Sequence, residues 1–201
     1  MTVSMIELWS ATDADLWHAA LARYARVVSG QGVVRLPALD AWYHSELPSA
    51  ISARATPFIT LDELVQLTEW KMARGVWRAP NLILVRSNAP DKVIAVSRTA
   101  FALAPRSTEP VATIATLSGV GPATASAAVA AFAPAHYPFF DELVAAQIPT
   151  LGPVAWTLSY YARYAAAIRS RSLALGAPWD PAMVARALWA HVGGKKRVTN
   201  Y

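Results

Sequence analysis

The chain has 201 residues, 55% of them hydrophobic, and a formal net charge of +5 with a pI near 9.7. That length and apolar content predict a packed core in one domain or two small lobes and exclude a disordered chain. Cysteine is absent, which excludes disulfides, thiolate catalysis and iron–sulfur clusters.

The four histidines (His18, His44, His136 and His191) lack metal-ligand spacing, so no metal or other cofactor is expected. No apolar run reaches the ~20 residues that span a bilayer, and no basic segment followed by an apolar core opens the chain. The expectation is a cytoplasmic monomer without a membrane partner. The positive charge fits either an arginine-biased soluble surface or a polyanion partner, and charge alone leaves both open.

Thr12-x-x-Asp15 resembles a capping box and predicts a helix to about Val28, with Trp17, Leu21, Tyr24 and Val28 at helical spacing and Gly30 as the stop. Pro37, Pro48 and Pro57 interrupt 31–58, which reads as short helical turns or an irregular loop packed through Trp42 and Tyr43. Thr60-x-x-Glu63 is a cleaner capping box for a helix ending near Gly75. Residues 81–86 have strand composition but lie between helices. Asn88 is expected to cap a helix over 89–103, with Pro90 in its first turn. A loop at 105–110 leads to a helix over 111–117, and Pro122 opens another to about Phe132. Pro134 and Pro138 bracket a connection to Asp141. Pro153 is expected to open a long helix through Leu175, stopped by Gly176. Asp180-Pro181 starts the last helix, stopped by Gly193-Gly194, before a solvated basic tail at 195–197. The sum is one all-α unit over 1–201.

The most specific string is Leu117-Ser118-Gly119-Val120-Gly121-Pro122-Ala123-Thr124-Ala125-Ser126. Two glycines flank a small apolar residue between helical segments, the pattern of a helix-hairpin-helix over 111–132. Leu117 and Val120 would bury under the turn, while Ala125, Ala128 and Val129 would let the paired helix approach closely. Amides around Gly119, Gly121 and Ala123, with Thr124 in the same turn, would face outward at a helix N-terminus, which suits a phosphate. Such a contact positions a duplex without reading its sequence. The plain alternative is a glycine turn that serves packing alone.

Leu-x-Gly-Val-Gly-x-x-Thr-Ala is similar to the hairpin of the helix-hairpin-helix base-excision DNA glycosylases, and the resemblance covers about residues 85–145. It implies a helical glycosylase-like fold, a double-stranded DNA partner held through phosphates, and a catalytic aspartate eighteen residues beyond the position before the hairpin threonine. That position is Ala123, and eighteen residues on stands Asp141. In the family such a carboxylate stabilises the positive charge of the sugar and orients water. Asp141 would equally serve as a helix N-cap. Strand-nicking members carry a lysine where this chain has Ala123, so the resemblance implies monofunctional hydrolysis. The iron–sulfur cysteines are absent, and Pro138-Phe139-Phe140-Asp141 is bulkier than the family's usual context.

Residues 69–78 mix Trp70 and Trp77 with Lys71, Arg74 and Arg78. They read either as a base-stacking wall beside phosphate contacts from Lys71 and Arg74, or as core tryptophans with solvated cations. Trp42 and Tyr43 are a second candidate wall for the base pocket, and Met72, Trp156 and Tyr160-Tyr161-Tyr164 are expected only to pack. The resulting expectation is a monofunctional glycosylase acting on a flipped damaged or modified base. A catalytically inactive helix-hairpin-helix DNA-binding protein is the alternative.

Overall fold

The computed structural model describes residues 7–106 and 108–195, and every regular element among them is helical. The first expected helix is two: α1 (Ala14–Ala22) and α2 (Tyr24–Ser29) meet at Arg23. Asp13 rather than Thr12 caps α1, accepting from the Asp15 amide at 2.9 Å. Asp15 therefore contributes its N–H and not a capping-box carboxylate.

The proline-interrupted region folds as α3 (Leu36–Ala41), a π-helical turn (Trp42–Glu46) and α4 (Leu47–Ser52). Pro48 has no N–H to give the His44 carbonyl, and the chain widens there, with Leu47 donating to Trp42 five residues back. The capping box of α5 (Leu61–Arg74) forms as expected, with Thr60 and Glu63 each bonding the other's backbone. The strand-like run lies within α6 (Ala79–Arg86), and α7 (Pro90–Ala102) follows with Ala89 as its cap.

Between α8 (Glu109–Ile114) and α9 (Pro122–Phe132) lies the glycine turn. Asn88 does not cap α7. Its amide nitrogen donates to the carbonyls of Val85 and Ser118, and its oxygen accepts from the Ser118 N–H at 2.9 Å. The glycine turn is thus pinned to the end of α6, a tertiary role that helix-start statistics cannot anticipate. A short α10 (Glu142–Ala145) precedes α11 (Leu158–Leu175) and α12 (Pro181–His191). Pro153 does not open α11; Thr157 caps it, accepting from the Tyr160 N–H, so Trp156 stands outside the helix. Lys195 of the basic tail pairs with Glu142 at 3.0 Å, and 196–197 lie outside the described residues.

Two helices organise the packing. All residues of α9 from Ala123 to Ala131 are buried, and their small side chains let α4, α5, α7 and α8 come close. α12 gathers α1, α2, α10 and α11 in the same way. The end of α5 and the start of α10 meet where these two groups abut, and that meeting places the site.

Among the described residues no helix is long and apolar enough to cross a membrane.

Candidate functional site

The backbone before Asp141 is extended and buried, so its polar groups need partners away from water. The Phe140 N–H donates to Ser126 Oγ on α9 at 2.9 Å. From α11, Tyr161 and Tyr164 donate their hydroxyls to the carbonyls of Pro138 and Phe139. The tyrosines expected only to pack therefore hold the segment that delivers Asp141. Asp141 Oδ1 accepts from the Leu143 N–H at 2.8 Å and caps α10, while Oδ2 accepts from Arg74 Nε at 3.1 Å. A carboxylate offers roughly four lone-pair positions, so these two donors leave acceptor capacity for a water or a substrate.

Arg74 corrects one expectation. It is no phosphate contact at the surface but lies inside, 6% exposed, with its ring-facing side 3.9 Å from the Trp189 centroid. Nη1 donates to the Tyr24 hydroxyl at 2.6 Å and stands 3.9 Å from Asp40. Burial works against its charge, but Tyr24, Asp141 and Asp40 outweigh that penalty and hold the guanidinium pKa above its ordinary value. Asp40 in turn accepts from the Tyr24 hydroxyl and from Trp70 Nε1 at 2.8 and 2.9 Å. Burial raises the Tyr24 phenol well above its usual range, so it stays a donor to Asp40. One guanidinium, two carboxylates and the Tyr24 phenol thus form a buried chain joining α2, α3, α5 and α10.

Cavities flank this chain on both sides. A mouth cavity of about 80 Å³ is lined by Lys71, Arg78, Asp141, Trp156 and Trp189. An inner cavity of about 200 Å³ is lined by Tyr43, His44, Trp70, Asp180 and Arg186. Both are bordered by Arg74, Phe139 and Asp141. A third hollow covers the N-terminus of α9, bordered by Gly121, Ala123 and Thr124, and it shares Lys71, Arg78 and Trp156 with the mouth cavity. The two hollows are therefore neighbours, with Lys71, Arg78 and Trp156 between the glycine turn and Asp141. Burial, reinforced by the nearby Arg78 charge, lowers the Lys71 pKa, so Lys71 holds its charge at a cost that an anion would relieve.

Of the expected base-pocket residues, Tyr43 and Trp70 do wall the inner cavity, stacked 3.6 Å apart. Trp42 lines neither cavity beside Asp141 and packs partly buried against the core. Trp77 is half exposed in a separate depression with Val34 and Arg35. Trp156, 47% exposed with its ring 4.9 Å from that of Phe140, takes the place expected of them at the mouth. Thr157, a residue type favoured at helix N-caps, was the readable sign that a helix begins after Trp156. Arg186 and Trp189 sit one turn apart on α12, and nothing in their spacing marks them.

At the glycine turn Leu117, Val120, Ala123 and Thr124 are all buried, and the surface is presented by exposed Gly121 with the half-buried Ser118, Gly119 and Pro122. Gly121 is the N-cap of α9 and has no side chain to offer its first-turn amides. The glycines differ in kind. Gly119 has φ +73°, and a Cβ would sit 2.7–2.8 Å from Asn81 O and Val85 N of α6. A Cβ on Gly121 would meet nothing within 4 Å. Gly119→Ala is therefore expected to lower stability by about 2 kcal/mol, the combined size of a positive-φ penalty and overpacking. Gly121→Glu should leave thermal melting unchanged and weaken duplex binding at least about ten-fold, as a like charge placed at a phosphate site. Equal DNA affinity for the parent and Gly121→Glu, by fluorescence anisotropy, would remove the turn from the interface.

His44 carries a pH signature. Burial, only partly opposed by Asp40, lowers its pKa from 6.5 to about 4. Between those values the unfolded chain takes up a proton that the folded chain refuses. Stability should then fall as pH drops from 6.5 towards about 4. With 27% of the side chain exposed, we expect a loss of about 2 kcal/mol. Urea unfolding at both ends of that window should show this loss in the parent and not in His44→Gln; identical pH dependence would refute it.

Comparison of the chain with protein-family models, with curated proteins and with solved structures finds no match in any of the three. The functional reading therefore rests on the residues themselves.

Proposed function

We propose that the chain is a monofunctional DNA glycosylase-like protein that hydrolyses the N-glycosidic bond of a base flipped out of duplex DNA. The observation that carries this reading is the shared lining of Lys71, Arg78 and Trp156. These three residues border both the cavity at Asp141 and the hollow over the first turn of α9, which places the two side by side. A helix-hairpin-helix there would hold a backbone phosphate on the amides around Gly121, with Lys71 and Arg78 beside it. The flipped sugar would then lie against Asp141. Its carboxylate would stabilise the developing oxocarbenium charge and orient water. With Ala123 in the hollow, the hairpin offers no amine for strand cleavage.

A second reading is a DNA-binding protein of the same kind without catalysis. It is favoured by the burial of Asp141, 8% exposed with one oxygen on Arg74 and the other on Leu143. Release of free base from duplexes, each carrying one damaged or modified base, separates the two. Release by the parent and its loss in Asp141→Asn support hydrolysis. Duplex binding with no release across the panel supports the second reading.

A further inference from the structure

We infer that the exposed apolar face of α6 packs on deoxyribose of the DNA strand whose phosphate meets the glycine turn. The inference rests on the phosphate contact proposed for Gly121, and it adds the neighbouring sugar as a second, uncharged part of the interface.

The segment 81–86 is apolar on more than the side it buries. Leu82 and Val85 turn inward, yet Ile83 is 68% exposed and Leu84 48%. Ala79 and Pro80, one turn earlier, are exposed as well. The outward side of a surface helix is ordinarily polar. Positions 79, 80, 83 and 84 are neighbours at helical spacing, so they form one apolar face rather than scattered side chains.

The place of this face points to what it meets. Leu84 lies so near the turn that a Cβ on Gly119 would come within 2.8 Å of its own Cβ. Asn88, just past α6, bonds both backbone polar groups of Ser118. Asn81, three residues before Leu84, borders the hollow over the first turn of α9 together with Arg78 and Gly121. The helix and the turn therefore build one surface. A strand carries a sugar on either side of each phosphate, so a phosphate on the Gly121 amides brings apolar C–H surface against the flank that α6 forms. Such a contact positions the strand and reads no base.

Charge favours the same partner. Neither 70–90 nor 110–140, the stretches that build this surface, contains an aspartate or a glutamate. Exposed Arg78 precedes the helix, and Arg86 closes it, paired with Glu69 at 3.1 Å. A polyanion therefore meets no carboxylate from either stretch. A second copy of this chain would bring its own net charge of +5 against the same cations.

Fluorescence anisotropy with a duplex oligonucleotide tests the contact. The double variant Ile83→Gln with Leu84→Gln keeps good helix formers and should bind about ten-fold more weakly, the loss of much of one buried side chain's apolar area. Uncharged contacts release no counterions, so log affinity against log salt should keep the parental slope, whereas Arg78→Gln should reduce that slope by about one. Should the double variant melt early, Ile83→Gln alone, at the more exposed position, is expected to bind about three-fold more weakly with the parental slope. Parental affinity in a folded variant overturns the inference, and so does a reduced slope, which would trace the loss to displaced charge. A parental dimer that the double variant loses, with DNA affinity unchanged, assigns the face to a second copy and also overturns it. A folded double variant that binds duplex and releases base as the parent does ends this inference and keeps the glycosylase reading. Weakened binding by the double variant, with no base released by the parent, keeps the inference and loses the catalysis. A parent that binds no duplex loses both.

Discussion

Arg74→Met is expected to lower stability by about 3–5 kcal/mol, the cost of removing one partner from a buried ion pair. The side chain is about as long and as apolar along its stem, so packing on Trp189 survives in part. The carboxylate of Asp141, 3.1 Å from Arg74 Nε and 8% exposed, does not keep its counter-charge. Asp40 suffers less, because the Tyr24 hydroxyl and Trp70 Nε1 still donate to it. For a chain of this size the loss corresponds to a fall in melting temperature of roughly 10 °C. The double variant Arg74→Met with Asp141→Leu should recover much of the loss, since an apolar pair needs no desolvation of charge. Failure of the single variant to shift the melting temperature by more than about 2 °C would mean that water reaches the pair and screens it.

The helices were legible where local chemistry decides them. Thr60 with Glu63, Pro122, and Asp180 with Pro181 each fix a start through a cap or a ring constraint within one turn of chain. Helix starts were misplaced where distant partners compete for the same groups. Asn88 reads as a cap, yet Ser118, thirty residues away, takes both ends of its amide. Pro153 reads as a helix start, yet the chain turns at Gly152 with φ +68° and delays α11 to Thr157. The break at Arg23 leaves no mark in the apolar spacing, because Trp17, Tyr24 and Val28 bury on either side of it.

The site was legible in the same uneven way. The offset implied by the glycosylase resemblance singled out Asp141, and Asp141 and Ala123 border neighbouring cavities that share Lys71, Arg78 and Trp156. Cation and aromatic content singled out residues 69–78 but could not sort them. On one helix Lys71 faces the cleft while Arg74, three residues on, turns inward to Asp141 and Tyr24. What sorts them is the presence of Asp40 and Asp141 on other helices, and those contacts exist only in three dimensions. Trp156 and Arg186 owe their positions to the same tertiary arrangement.

The largest expected effect on function is at Asp141. Asp141→Asn should slow base release by a factor on the order of 10²–10³, the ~3–4 kcal/mol that removing one preorganised stabilising group costs a transition state. Asparagine is isosteric and caps a helix as well as aspartate does, so the Leu143 N–H keeps its acceptor and α10 keeps its start. The substitution still removes half of the ion pair with Arg74. Rates should therefore be compared at a temperature where melting curves show both proteins folded. DNA affinity gives the control that separates chemistry from architecture. The phosphate contacts proposed for Gly121 and its neighbours lie in the hollow over α9, away from the carboxylate, so Asp141→Asn should bind duplex as the parent does. Loss of release with retained binding is the signature of a group acting on the sugar. Loss of both would trace the defect to the buried Arg74–Asp141 pair and the fold it supports, while undiminished release would confine Asp141 to capping α10.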